Sequence, residues 1–349
     1  MTTQAHAPSP SLAPWLARQL TGLLAQRGHA WLLQGPSGLG QFELGLALAR
    51  AWLCEAPTPH GACGVCASCH AIDVRTHADF AVLMPEGELL ARGWPIDEKA
   101  QAEIDDKKRK PSKEIRVEAM RAVIEFAQRT NARGRGKAVL IYPAERMNAI
   151  TANALLKTLE EPPGDVRFVL ASDAAHVLLP TIRSRCQTHT MHWPDASEAL
   201  AWLAQQGVPT EAAVALLGAA GGRPEAALAL ARSAPDTRRA AQAWAALPKT
   251  LACGGAAAVA AVADLPAPEL IARLQKLCHD LMAAQTGAAP RFFAAADLPR
   301  LPADARQMLL LARWAKQLAR EARVAEHPFN AGLTTEALVS SAQAALRQP

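Results

Sequence analysis

Apolar residues follow two alternating patterns over the first half of this chain and a single pattern over the second. Leu12, Trp15, Leu16, Leu20, Leu23 and Leu24 recur at helical spacing and predict a helix over 11–27. Gly28 breaks it, and residues 30–33 form a short apolar run of strand length. A second helix is predicted from about 40 to 53, with Phe42, Leu46, Ala49 and Leu53 available to one side. Residues 80–83 read as a second strand, and Val117, Met120, Val123, Ile124 and Ala127 mark another helix. A third strand is predicted at 138–142, rich in β-branched and apolar side chains. The helix expected over 148–161 buries Leu155, Leu156 and Leu159 and stops at Pro162-Pro163-Gly164. Residues 168–171 give a fourth strand, and 189–193 look extended. Strands alternating with helices predict an α/β domain on a parallel sheet with both faces covered.

After Trp193 the strand signals vanish, and alanine and leucine dominate. Residues 196–232 accommodate three short helices, separated at Gly207-Val208-Pro209 and Gly221-Gly222-Arg223-Pro224. Residues 237–349 accommodate four or five more, with breaks at Gly254-Gly255, Pro266, Pro290, Pro302 and Pro328. Boundaries near 192 and 237 follow from these changes of pattern. The 349 residues are enough for two or three domains with cores of their own.

The first strand runs into Gly35-Pro36-Ser37-Gly38-Leu39-Gly40-Gln41-Phe42, which has the layout of a phosphate-binding loop, G-x-x-x-x-G-K-[ST]. Gly35, Gly38 and Gly40 stand where that loop needs them, but Gln41 replaces its lysine and Phe42 its Ser/Thr. An amide cannot neutralise phosphate as an ammonium does, and a phenyl ring cannot ligate Mg²⁺. The third strand ends in Tyr142-Pro143-Ala144, without the acidic pair that holds Mg²⁺ in an ATPase, and Glu145 lies too far on to replace its first acid. The scaffold of a nucleotide site is therefore present without its ionic chemistry. The N-terminus of the following helix still offers N–H groups suited to weak anion binding.

Cys54, Cys63, Cys66 and Cys69 come next, as C-x8-C-x2-C-x2-C. Four thiolates on tight turns describe a structural Zn²⁺ site with no open position. His60, His70 and His77 lie nearby, but four sulfurs already complete a tetrahedron. Within the Pro- and Gly-containing stretch 85–113, the mixed run 97–113 is expected to be a solvated, mobile insertion, and its Lys107-Lys108-Arg109-Lys110 block is the one hint of a nucleic-acid contact. The formal charge of +5 permits acidic partners without demanding them. Met1 to Trp15 carries no basic segment followed by an apolar one, and no apolar run is long enough to span a membrane. A cytoplasmic chain without membrane contact is expected.

Taken together, the loop at 35–42, the four-cysteine module, the run Asn153-Ala154-Leu155-Leu156-Lys157-Thr158-Leu159-Glu160-Glu161-Pro162-Pro163 and Ser184-Arg185-Cys186 resemble bacterial clamp-loader subunits, AAA+ proteins of the DNA polymerase III holoenzyme. The resemblance is strongest over 28–190. It implies an AAA+ ATPase-like domain over 1–192 with the zinc module at 54–69, a small helical lid over 193–236 and an all-α collar over 237–349 that mediates oligomerisation. It implies as partners the tau/gamma motor subunits and the delta subunit, and, through the complex, the sliding clamp and primer–template DNA. The motor subunits carry the lysine, the hydroxyl and the acidic pair, so the resemblance points to a member that hydrolyses no ATP itself. It gives Arg185 the part of an arginine finger for ATP on a neighbouring subunit, with Ser184 and Cys186 shaping the turn. It matches the arginine of a motor's lid helix to Glu225, with Arg223 close by, and a polar sensor to Ser172. Two other readings are an active clamp-loader ATPase of the tau/gamma type and a zinc-containing DNA-binding protein.

Overall fold

A computed structural model describes residues 12–325, 327 and 330–346. The chain divides into two compact units, Met1–Pro194 and Asp195–Pro349.

In the first unit α1 (Pro14–Leu24) leads to β1 (Ala30–Gln34), α2 (Gln41–Leu53), α3 (Ala67–Asp73) and β2 (Phe80–Leu83). Then come α4 (Glu86–Ala91), α5 (Glu98–Asp105), α6 (Val117–Gln128), β3 (Lys137–Ile141), α7 (Ala149–Glu160), β4 (Val166–Ser172), α8 (Pro180–Arg183) and β5 (Gln187–Thr190). The five strands form one sheet in the order β2-β3-β4-β1-β5, every neighbouring pair parallel. Leu32 pairs in register with Leu170 on one side and Thr188 on the other, and Val139 pairs with Phe168 and Ala81. The central strands β1, β3 and β4 are buried along nearly their whole length, as helices on both faces require. The C-terminal ends of β1, β3 and β4 therefore open side by side on one edge, where open parallel sheets bind ligands.

The last strand lies earlier than expected, at Gln187–Thr190 rather than 189–193. It is an edge strand with mostly exposed, polar side chains, so apolar patterning does not mark it; its ladder with β1 defines it. The third strand starts at Lys137, whose side chain is buried. Its Nζ donates to Phe126 O at 2.5 Å and lies 4.2 Å from the centre of the Phe126 ring.

Residues 97–113, expected to be an insertion, are largely exposed, but they carry α5 and, with α4 before them, are tied internally. Arg109 donates to both carboxylate oxygens of Glu86, at 2.5 and 2.9 Å, and to Glu103 at 2.8 Å. Lys108 pairs with Asp106 at 2.8 Å. Half of the basic block is thus neutralised within the chain.

The second unit is helical. It contains α9 (Ala196–Gln205), α10 (Thr210–Ala219), α11 (Pro224–Ser233), α12 (Thr237–Cys253), α13 (Gly255–Ala260), α14 (Ala267–Gln285), α15 (Ala305–Val324) and α16 (Ala331–Leu346). Three helices precede 237 and five follow it among the described residues; the break expected at Pro328 lies outside them. Leu274, Leu277, Leu311, Leu318, Leu338 and Val339 form its core, with Trp244 stacked on Phe293 at 4.5 Å. Asp280, wholly buried, accepts the backbone N–H groups of Arg291, Phe292 and Phe293 at 2.7–2.9 Å, which satisfies a carboxylate that burial would otherwise penalise. Among the described residues no helix is long and apolar enough to cross a membrane.

Candidate functional site

The loop from Gly35 to Gly40 joins β1 to α2 at the ligand-facing edge of the sheet. Its path depends on glycine. Gly40 caps α2 in the left-handed region, φ +94°, and a Cβ there would meet Leu16 Cδ1 at 2.6 Å. A Cβ on Gly35 would meet Met191 Cβ at 2.8 Å. Trp15 Nε1 donates to Leu39 O at 3.3 Å and ties the loop to α1.

Both atypical side chains turn inward. Gln41 is buried, and its Nε2 donates to Gly35 O at 2.7 Å and Pro36 O at 3.0 Å. The group that stands in the lysine position is thus committed to the loop's own carbonyls. Phe42, also buried, packs on Tyr142 with ring centres 5.5 Å apart. The Arg92 guanidinium lies 4.3 Å from the centre of the Phe42 ring and 4.9 Å from that of Tyr142, paired with Glu43 at 3.0 Å. An aromatic pair capped by a cation fills the place where a motor would carry its metal ligands.

Two carboxylates stand beside it. Glu145 lies on a 3-10 turn, Ala144–Arg146, and reaches further than its position in the chain suggested. One of its oxygens accepts from Ser172 Oγ at 2.7 Å, and both lie 3.2 Å from the backbone N of Asp173. Tyr142 donates its hydroxyl to Asp173 Oδ2 at 3.3 Å. Burial, and then the charge of Glu145, pushes the Asp173 carboxyl up to about 6. Burial likewise raises the Tyr142 phenol. Ser172, matched by resemblance to a sensor, is buried and committed to Glu145. Reading the sequence missed Arg92 and Asp173. The end of β4 was a signal for Asp173, since strand C-termini line such sites; nothing marked Arg92, which follows α4 ahead of the run 97–113.

The cysteine module begins where α2 ends. Cys54 follows its last residue, Cys66 caps the start of α3, and Gly64, with φ +80°, makes the turn between Cys63 and Cys66. Cys54 Sγ lies 3.8 Å from both Cys66 Sγ and Cys69 Sγ, and all four Sγ atoms lie within 4.8 Å of one another. A tetrahedron with Zn–S bonds of about 2.3 Å has edges of roughly 3.8 Å, so the set fits such an ion. Backbone N–H groups of Cys63 and Cys69 point at Cys54 Sγ and Cys66 Sγ, at 3.2 and 3.4 Å. Burial opposes the Cys66 thiolate, but hydrogen bonds to it prevail and lower the group to about 6. Among the described residues these four form the only such group of candidate metal ligands that brings three or more together. His60 contacts Thr21, and His77 accepts from the Asp79 backbone N–H, so neither joins it.

Arg185 follows α8. Its Nε and Nη2 donate to Glu160 Oε2 at 3.3 and 3.1 Å, and its Nη1 donates to Thr181 O at 3.1 Å. Ser184 Oγ donates to Thr181 O at 3.1 Å and helps to close the turn. Cys186 packs against the sheet's core, and burial raises its thiol to about 12. In the second unit Arg223 caps α11 and bonds Ala220 O at 2.6 Å, while Glu225 sits in that helix's first turn.

A glycine loop that follows the interior strand β1 of an all-parallel sheet and opens a helix defines a P-loop type of α/β domain. The family model described as "DNA polymerase III, delta subunit" matches residues 16–194, and the chain belongs to that family. It is 41% identical over 216 residues to DNA polymerase III subunit delta' of Pseudomonas aeruginosa, covering 60% of this chain and 58% of that one. It is 34% identical over 198 residues to the delta' subunit of Escherichia coli K12, covering 55% and 52%. The tau subunit of the same organism is 34% identical over 158 residues, 45% of this chain and 20% of tau. The chain spans about half the length of the delta' relatives it matches.

Proposed function

We propose that this chain is a delta-prime subunit of a DNA polymerase III clamp loader, which works in the cytoplasm within a hetero-oligomer and hydrolyses no ATP of its own. The observation that carries this reading is the inward commitment of Gln41 and Phe42, in a loop whose backbone is otherwise that of a nucleotide site. The named delta' relatives support it. On this reading residues 193–236 act as the lid and 237–349 as the oligomerising collar, joined to tau/gamma motor subunits and the delta subunit. The complex loads the sliding clamp onto primed DNA, and the four cysteines hold a structural Zn²⁺.

Arg185 then completes the ATP site of a neighbouring motor. A guanidinium delivered in trans neutralises charge that develops on the γ-phosphate. The test is ATP turnover of the purified chain, alone and reconstituted with its motor and delta subunits. The lone chain is expected to be silent, and Arg185→Ala is expected to lower turnover and clamp loading in the complex without dissolving it. Turnover by the lone chain, abolished by substitution within the loop, would instead establish an ATPase. Unchanged loading with Arg185→Ala would remove the finger.

A further inference from the structure

Arg185 is held on two sides, by Glu160 and by the Thr181 carbonyl. Ile182, wholly buried, anchors the turn before it, and Cys186 packs against the core after it. A guanidinium carries five N–H donors. Among the described residues three are engaged, two by Glu160 and one by Thr181 O, and two, one on each terminal nitrogen, are not. Two such donors suit the bidentate contact that arginine makes with phosphate oxygens.

Glu160 is the last residue of α7, so the helix fixes its backbone. Its side chain is 60% exposed, and Arg185 is the partner it meets. Exposed ion pairs of this kind contribute little to stability. The fold therefore does not depend on the pair, yet the pair sets the plane and direction of the guanidinium. A free arginine would have to lose rotamer freedom when it engages a nucleotide, and one already held has lost much of it beforehand.

Building on the finger reading above, we propose that Glu160 is a positioning residue: it holds Arg185 pre-oriented, with two N–H donors presented to the γ-phosphate of ATP on a neighbouring subunit. Glu160 does not touch the nucleotide. It acts through the arginine.

Two measurements test this. In the isolated chain, the Arg185 Nε–H resonance is expected to be resolved and slow to exchange. It is expected to broaden or exchange rapidly in Glu160→Gln while the rest of the spectrum is retained. In the reconstituted loader, the finger-dependent turnover is the difference between wild type and Arg185→Ala. Glu160→Gln is expected to lower that part of kcat roughly three- to tenfold with KM unchanged, because misorientation affects the transition state more than ground-state binding. Glu160→Asp is expected to recover part of the loss. The double variant Glu160→Gln/Arg185→Ala is expected to match Arg185→Ala alone. Full turnover in Glu160→Gln, or a mobile Arg185 side chain in the wild type, overturns the positioning role. A double variant slower than Arg185→Ala shows that Glu160 acts on something else. If Arg185→Ala itself leaves turnover unchanged, the finger reading fails and the role of Glu160 fails with it, whereas the resonance still reports whether the arginine is held.

Discussion

The two ends of α2 make opposite use of the same helix. At its N-terminus the backbone of a phosphate loop is complete, down to the left-handed Gly40, but Gln41 and Phe42 turn inward and are consumed by the protein. At its C-terminus Cys54 opens a module whose four sulfurs converge at metal-ligand distances. A binding motif has two separable parts, a backbone that shapes a space and side chains that supply charge or lone pairs. The first end has the shape without the chemistry, and the second has both.

Metal removal should separate the two ends most sharply. Purified under mild conditions, the chain is expected to carry one zinc per molecule, and Cys69→Ser is expected to release it and melt the segment 54–74. Structural zinc sites supply on the order of 10 kcal/mol in isolated peptides, so a loss of several kcal/mol is expected even in a larger domain. Metal analysis together with thermal unfolding checks this. A chain that is stable without metal would reduce the module to a cluster of free thiols.

At the other end the filling side chains should matter as core rather than as chemistry. Phe42→Ala leaves a cavity beneath Arg92 and beside Tyr142 and is expected to cost about 3 kcal/mol in urea denaturation. A cost below about 1 kcal/mol would mean that the ring is not packed as described. Asp173 adds a pH signature. Burial and Glu145 raise its folded pKa from 3.8 to about 6. Stability from its protonated form is therefore fully present below about pH 3.8 and lost as the pH rises through about 6. Asp173→Asn should accordingly stabilise the protein at pH 7–8, by about 1–2 kcal/mol after allowance for solvent screening, and give no gain near pH 4. An equal effect at both pH values would remove the cause named here. The smallest effect is expected from Gln41→Ala, which frees two loop carbonyls at a cost of about 1 kcal/mol. Hydrogen exchange should speed up at the loop amides and leave α3 unchanged; exchange unaltered at the loop would show that Gln41 does not hold it.

Much of this organisation was legible in the chain. The central strands are apolar runs because they are buried on both faces, and the cysteine spacing marks the four sulfurs that converge. The edge strand Gln187–Thr190 was shifted by two or three residues because polar, exposed side chains leave no apolar trace. The run 97–113 reads as a solvated insertion because its charges find partners far along the chain, as Arg109 finds Glu86.

The sequence by itself determined the alternation of strands and helices, the loop without its lysine and hydroxyl, and the four-sulfur module. Each of these is a local pattern, written in the spacing and chemistry of neighbouring residues. Only the tertiary structure decided what replaced the missing chemistry. Arg92 from the end of α4 and Tyr142 from the end of β3 meet at Phe42, and Asp173 from the end of β4 joins them through the Tyr142 hydroxyl. Glu160 meets Arg185 because α7 and α8 lie side by side. Those contacts join residues from about 25 to 100 positions apart, and only the packing of helices against a parallel sheet brings such residues together.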